Sequence, residues 1–137
     1  MEKPISATGH GAASGLASRL KDIDGFDFDE ALGMALDRVE FLEKMLRLYL
    51  RTHGEDAARL RQLLDAGNHA DIGRLAHGLK GAAATIGARR VAKLADSVQS
   101  AVRDSGEAPV AQVTQLAQET DQFITAIQGA LGSPPDS

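Results

Sequence analysis

Apolar residues recur along most of the chain at the three- and four-residue spacing of an amphipathic helix, and no stretch alternates apolar and polar residues as a strand would. The spacing predicts helices over about residues 27–35, 37–52, 55–66, 68–86 and 88–104, and a last helix that begins near Pro109. Because short loops join the long helices, this pattern predicts an all-α fold: an antiparallel four-helix bundle with an additional short N-terminal helix.

The two ends of the chain differ from this pattern in composition. Residues 1–24 are rich in Gly, Ala and Ser, which predicts a flexible N-terminal tail. Residues 132–137 contain one glycine and two prolines, which predicts a short disordered C-terminal tail. A chain of 137 residues suggests one domain, so the helical bundle is assigned to residues 25–131.

Composition and charge argue against several classes of function. Only 4% of the residues are aromatic, which is few for a surface that stacks on single-stranded nucleic acid. Fifteen basic and nineteen acidic residues give a net charge of −4 without a basic tract, so nucleic acid is not an expected partner. The absence of cysteine excludes disulfides and thiolate zinc sites and fits a reducing compartment. No apolar run approaches the ~20 residues of a membrane span, so a cytoplasmic location without a membrane partner is predicted.

One histidine lies opposite the predicted core stripe of its helix. At about 3.6 residues per turn, the apolar stripe of the helix over 68–86 leaves His77 on the reverse side, facing solvent. The rest of that outer face is small or basic, and it comprises Gly73, Arg74, Lys80, Gly81 and Ala84. Glycine inside a helix costs about 1 kcal/mol of stability relative to alanine. We therefore interpret Gly73, Gly78 and Gly81 as clearance for a second protein that approaches His77. Close packing between helices is the alternative, and it suits Gly78 best.

Charge and a neighbouring amide point to the same position. Residues 71–93 contain five basic side chains and one acidic side chain, a local charge of +4. A basic surface around an exposed imidazole suits a phosphoryl group or a carboxylate-rich partner. Gln99 follows the turn at Gly87 by about as many residues as His77 precedes it, so both are expected at similar heights on adjacent helices. An amide there would hold Nδ1 of the imidazole and leave Nε2 as the nucleophile.

The segment from Leu75 to Ala88, LAHGLKGAAATIGA, resembles the signature of histidine-containing phosphotransfer (HPt) domains. That signature reads A-H-x-L-K-G-x-A-x-x-I-G-A, and the segment matches it at every fixed position. The resemblance extends over about residues 23–130. It implies a monomeric helical bundle that carries phosphoryl groups in a multistep phosphorelay.

The resemblance also implies roles for individual residues. His77 would accept the phosphoryl group on Nε2, Lys80 would compensate its charge, Gly81 would give clearance and Gln99 would orient the imidazole. The partners would be receiver domains of response regulators and a hybrid histidine kinase. The domain would bring no ATP site, no cofactor and no metal, since the receiver supplies Mg²⁺ and most catalytic groups. Candidate partner contacts around the site are Arg74, Ala84 and Arg89.

The sequence leaves alternatives open. One is a receiver- or kinase-binding adaptor that is not phosphorylated; another is a plain structural bundle. His10, His53 and His69 lack the spacing of a metal site. Phe41 and Leu48 lie off the main apolar stripe of their helix, where they would complete the core, the interpretation we favour, or form a docking patch.

Overall fold

The computed structural model describes residues 15–132, and the regular elements within that range are all helices. A helical segment over 15–21, α1, is followed by α2 (Phe28–Met34), α3 (Val39–His53), α4 (Asp56–Asp65), α5 (His69–Thr85), α6 (Arg89–Ser105) and α7 (Val110–Leu131). The predicted all-α class is therefore confirmed, and the predicted helix ends agree with the observed ones to within two residues.

Helices α4 to α7 enclose most of the core. Each packs on two of the others, in the order α4 on α5, α5 on α6, α6 on α7 and α7 on α4, while α3 packs on α7 and α2. Among residues 15–132, the largest fully buried side chains are apolar with the exception of Thr120. They include Leu42, Leu46, Leu60, Ile72, Leu79, Leu116 and Ile127. These residues carry the three- and four-residue spacing seen in the sequence, so burial of one stripe per helix accounts for the bundle.

The turn between α5 and α6 requires glycine. Gly87 has φ +76°, and a Cβ atom there would lie 2.7 Å from the carbonyl oxygen of Asp27. The amide of Asp27 donates to the carbonyl oxygen of Gly87 at 2.8 Å, which joins the start of α2 to this turn. The tight reversal places α5 and α6 side by side in opposite directions.

The prediction of a flexible tail over residues 1–24 is wrong for residues 15–21. Residues 15–21 form α1, in which Leu16 and Leu20 are buried in the core. Nε of Arg19 donates to the carbonyl oxygen of Ala130 at 2.8 Å and ties α1 to the end of α7. The four-residue spacing of the two leucines was the signal in a segment otherwise dominated by small residues. Residues 1–14 and 133–137, which hold the rest of both predicted tails, lie outside the described residues.

The expected core role of Phe41 and Leu48 is also wrong. Their exposed fractions are 43% and 54%, because Leu42, Leu46 and Tyr49 occupy the buried face of α3. These two side chains lie on the outer surface of α3, and Leu48 lines a shallow cavity of about 280 Å³ together with Ala82 and Thr85 of α5.

Candidate functional site

The candidate site lies at the middle of α5, on the side away from the core. Asn68 caps this helix, since its side chain accepts a hydrogen bond from the amide of Asp71. Ile72, Ala76, Leu79 and Ala83 face inward and are fully buried. His77 is therefore exposed, as predicted, and it is carried by a helix that is fixed at its start and along one face.

The imidazole of His77 is held by the carboxamide of Gln99. Nδ1 of His77 and Nε2 of Gln99 are 2.7 Å apart across the seam between α5 and α6. The other end of the carboxamide, Oε1, is buried and has no hydrogen-bond partner among the described residues. Both ends of a carboxamide can meet an imidazole nitrogen, the NH₂ as donor and the oxygen as acceptor. The juxtaposition predicted from the sequence is therefore present, with Nε2 of His77 left unbonded by Gln99.

Lys80 lies one helical turn after His77 and is engaged by a residue that the sequence analysis missed. Its Nζ is 3.1 Å from Oδ1 of Asp96 on α6. Asp96 precedes Gln99 by three residues, so the ion pair lies about one helical turn along the α5–α6 contact from the pair formed by His77 and Gln99. The signal was available in the sequence, because the antiparallel register that pairs residue 77 with 99 also pairs 80 with 96.

A second cavity, of about 690 Å³, opens on the other side of His77. Arg74 and Arg103 contribute to its lining together with Ala70, Gly73, His77, Gln99 and Val102. Arg103 was not singled out from the sequence, although it follows Gln99 by one turn of α6. Both guanidinium groups have local partners: Arg74 donates to Asp71, and Arg103 donates to the hydroxyl of Ser100 at 3.2 Å.

The glycines of α5 divide into two kinds. Gly78 and Gly81 are exposed, and a Cβ atom at either would meet nothing within 4 Å. Gly73 is buried, and a Cβ atom there would lie 2.9 Å from Cγ1 of Val102 on α6. Helix packing therefore explains Gly73, not Gly78 as the sequence analysis suggested, and Gly73 does not belong to the outer face. Open space beside His77 is found at Gly78 and Gly81.

Ala84 and Arg89, both predicted to contact a partner, lie at different places relative to His77. Ala84 is exposed and lies two turns after His77 on the same face of α5. Arg89 lies at the start of α6, ten residues before Gln99 and so about 15 Å away along the helix axis. Its guanidinium group donates to Oδ2 of Asp27 at 3.0 Å, so the structure does not bring Arg89 to the imidazole.

Acidic residues elsewhere in the chain form ion pairs with several of the basic side chains of residues 71–93. Besides the pairs of Lys80 and Arg89, the guanidinium group of Arg90 contacts carboxylates of Asp24 and Glu119. Hydrogen bonding to Arg90 lowers the pKa of Asp24, whereas partial burial raises the pKa of Glu119. The local charge of +4 is therefore largely balanced in the folded chain.

Two of the remaining histidines have structural partners. Nδ1 of His53 is 2.7 Å from Oδ2 of the buried Asp56, and Nδ1 of His69 accepts from the amide of Ala108 at 3.0 Å. In residues 15–132, no group of three or more His, Cys, Asp or Glu side chains is arranged to hold a metal ion. His10 lies outside the described residues.

Comparison with known families decides the family of this chain. The sequence model of the Hpt domain matches residues 44–130, which is well over half of the chain. The chain belongs to the Hpt domain family. No curated protein and no solved structure matches it.

Family membership defines the general role of this bundle. Hpt domains are phosphotransfer modules of two-component signalling, and they act as phosphocarriers rather than as catalysts. They interact with receiver domains and kinases in phosphorelays. Within the described part of this Hpt domain, no helix has the length and apolar character needed to cross a membrane.

Proposed function

We propose that this Hpt domain relays a phosphoryl group between aspartates of receiver domains, through Nε2 of His77. The observation that carries the proposal is the 2.7 Å contact between Nδ1 of the exposed His77 and Gln99, which leaves Nε2 of His77 unbonded by Gln99. Open space at Gly78 and Gly81 would let a receiver domain bring its aspartyl phosphate to that nitrogen.

The transfer needs a particular tautomer of the imidazole. A nucleophilic Nε2 must carry a lone pair, so the proton must reside on Nδ1 and be donated to an acceptor. Oε1 of Gln99 is that acceptor when the carboxamide presents its oxygen to Nδ1. After transfer, loss of the Nδ1 proton to water leaves neutral phosphohistidine, in which the carboxamide presents Nε2 and donates to the unprotonated Nδ1. One residue can therefore serve the imidazole before and after transfer.

The chemistry of the step then balances without a group from solvent. The lone pair of Nε2 forms a bond to phosphorus while the bond between phosphorus and the receiver's aspartate oxygen breaks. The electron pair of that bond returns to the aspartate as a carboxylate, and the imidazole proton stays on Nδ1, bonded to Gln99. The reverse sequence passes the phosphoryl group to a second receiver. Positioning and charge compensation dominate such transfers, and Lys80 is the nearby cation on α5 proposed for that compensation.

The proposed docking surface surrounds His77 and extends to α3. It includes Arg74, Ala84 and the exposed side chain of Leu48, which shares a cavity with the flank of α5. Arg89 is left out, because it is engaged at the far end of α6. Leu48→Asp should weaken binding of a receiver domain without changing helix content, and unchanged binding would remove α3 from this surface. The domain is proposed to act as a monomer in the cytoplasm, a compartment that its cysteine-free sequence fits.

Transfer from a phosphorylated receiver domain tests the proposal. Radiolabelled receiver domains from the same organism are mixed with the wild-type chain, with His77→Gln and with His69→Gln. The last variant is a matched control, since glutamine also offers an acceptor to the amide of Ala108. Acid-labile, base-stable label is expected on the wild type and on His69→Gln, but not on His77→Gln. Label that persists on His77→Gln, or binding without label on the wild type, would overturn the proposal; the second result would indicate an adaptor.

A further inference from the structure

Lys80, the cation of α5 to which charge compensation is assigned, is already paired across the contact between α5 and α6. Lys80 lies one turn after His77, and its Nζ is 3.1 Å from Oδ1 of Asp96, which lies one turn before Gln99. The side chains of Lys80 and Asp96 are 39% and 57% exposed, so water and an incoming group can reach both. Two pairs of side chains thus lie next to each other on one surface: His77 with Gln99, and Lys80 with Asp96.

A phosphoryl group on Nε2 of His77 would change the balance of charge on this surface. A phosphoryl group carries about −1.5 to −2 charges near neutral pH, with oxygens that accept strong hydrogen bonds. Lys80 would then lie between two anions, the phosphoryl group and the carboxylate of Asp96. Exposed ion pairs are weak and easily exchanged, so the ammonium group can be shared between them, and neither anion holds it fully.

We infer that Asp96 is a positioning residue that restrains Lys80 and thereby limits how strongly the domain stabilises phosphohistidine. This inference rests on the proposed phosphotransfer function. A carrier that held the phosphoryl group too strongly would accept it from one receiver but release it slowly to the next. With Asp96 present, the equilibrium between aspartyl phosphate and phosphohistidine lies less toward phosphohistidine than it would with an unrestrained Lys80.

The test compares Asp96→Asn with a matched control elsewhere in the bundle. Asp121→Asn removes a carboxylate of similar exposure, 51%, from a second ion pair between helices, the one that joins Arg61 of α4 to Asp121 of α7 at 2.9 Å. The equilibrium fraction of label on His77 is measured against one phosphorylated receiver domain. Asp96→Asn is expected to raise the equilibrium constant toward phosphohistidine by about two- to fivefold, and Asp121→Asn to leave it unchanged.

A double-mutant cycle with Lys80→Gln shows whether Asp96 acts through Lys80. If Asp96 restrains the ammonium group, most of the effect of Asp96→Asn disappears in the Lys80→Gln background. An effect of equal size in both backgrounds would mean direct repulsion of the phosphoryl group and would overturn the inference, as would an equilibrium that Asp96→Asn leaves unchanged.

A measurement without phosphoryl transfer separates this inference from the proposed function. The ¹³Cε and ¹⁵Nζ chemical shifts of Lys80 are recorded by NMR in the unphosphorylated wild type, Asp96→Asn and Asp121→Asn. The contact predicts a change in Asp96→Asn alone, and identical spectra would overturn the inference. If no receiver domain labels the wild type although this change is seen, the proposed function fails while the restraint on Lys80 stands.

Discussion

Gly73 of α5 and Val102 of α6 pack so closely that a Cβ atom at residue 73 would lie 2.9 Å from Cγ1 of the valine. His77 lies one turn beyond Gly73, and Gln99 lies one turn before Val102. The absence of a side chain at residue 73 therefore sets the separation of the two helices next to the rung where imidazole and carboxamide meet at 2.7 Å. A packing residue in the seam thus contributes to the geometry of the site.

Gly73→Ala is expected to destabilise the fold. The gain in helix propensity, about 1 kcal/mol, is opposed by overpacking against a stiff β-branched side chain, which costs about 1–3 kcal/mol. A net loss of about 1 kcal/mol should appear in the free energy of unfolding measured with urea. The control for overpacking introduces Gly73→Ala into a Val102→Ala background, where the clash is absent and the substitution should stabilise the fold relative to Val102→Ala alone. A single variant more stable than wild type would contradict the assignment of Gly73 to packing.

Gly78→Ala and Gly81→Ala should have the opposite effect on stability. Neither Cβ atom would meet a neighbour within 4 Å, so each substitution should raise the free energy of unfolding by about 1 kcal/mol. Gly81→Gln should preserve helix content but slow transfer from a receiver domain, because its longer side chain occupies the clearance beside His77. Circular dichroism, urea unfolding and the rate of label transfer check these outcomes. Unchanged transfer in Gly81→Gln would show that the clearance is not used.

The sequence predicted the contact between His77 and Gln99 correctly, but it missed the helix α1 near the N-terminus. Helical periodicity and the turn at Gly87 were sufficient to place His77 and Gln99 opposite each other on adjacent helices, since the periodicity and the turn are both set by local geometry. Helical periodicity placed Gly73 on the outer face of α5, where it does not lie, because the periodicity of one helix does not show where its neighbour packs. The length of α5 between His77 and the turn is repeated in α6, so the same register that identified Gln99 would also have identified Asp96.

The errors at α1 and α3 have a related cause. Leu16 and Leu20 form too short an apolar pattern to stand out from the small residues around them, and they are buried only as part of the core that the packed helices form. Leu48 is apolar yet 54% exposed, which composition and periodicity cannot distinguish from a core position at the edge of a stripe. Both outcomes are decided by tertiary packing rather than by local preference.

Asn68→Ala should destabilise the helix that carries His77. The side chain of Asn68 accepts from the amide of Asp71 at 3.2 Å and satisfies a donor that the helix leaves unpaired at its start. Its loss should lower the free energy of unfolding by about 1 kcal/mol in urea titrations. Asn68→Ser, which keeps a capping oxygen, should recover most of that difference. Equal losses in the two variants would show that the cap contributes little.

Asp27 should make the stability of the domain depend on pH in the acidic range. The pKa of its carboxyl group is lowered chiefly by the hydrogen bond from the amide of Glu30, with a further contribution from Arg89. A lowered pKa in the folded state means that its stabilising contribution is present above the unfolded value of about 4 and is lost as the pH falls through the folded value. Urea unfolding from pH 7 to pH 2.5 should therefore show a smaller loss of stability in Asp27→Asn, which keeps the cap. Identical pH profiles would contradict this role.

Gln99→Leu should change the tautomer population of His77 and leave the rest of the bundle unaltered. The proposed orientation turns the carboxamide so that Oε1, rather than the Nε2 that lies 2.7 Å from Nδ1 in the structure, accepts the imidazole proton. The proton is then held on Nδ1 and Nε2 of His77 remains a nucleophile. Without this acceptor, the tautomer with the proton on Nε2 gains population. A neutral hydrogen bond contributes about 1 kcal/mol, so the proportion of the reactive tautomer and the transfer rate should both fall severalfold. Imidazole ¹⁵N chemical shifts report the tautomer, and label transfer reports the rate. The control is Gln115→Leu, an exposed glutamine of α7, which should alter neither. A slower rate in Gln99→Leu with an unchanged tautomer would mean that Gln99 contacts the receiver instead of positioning the imidazole.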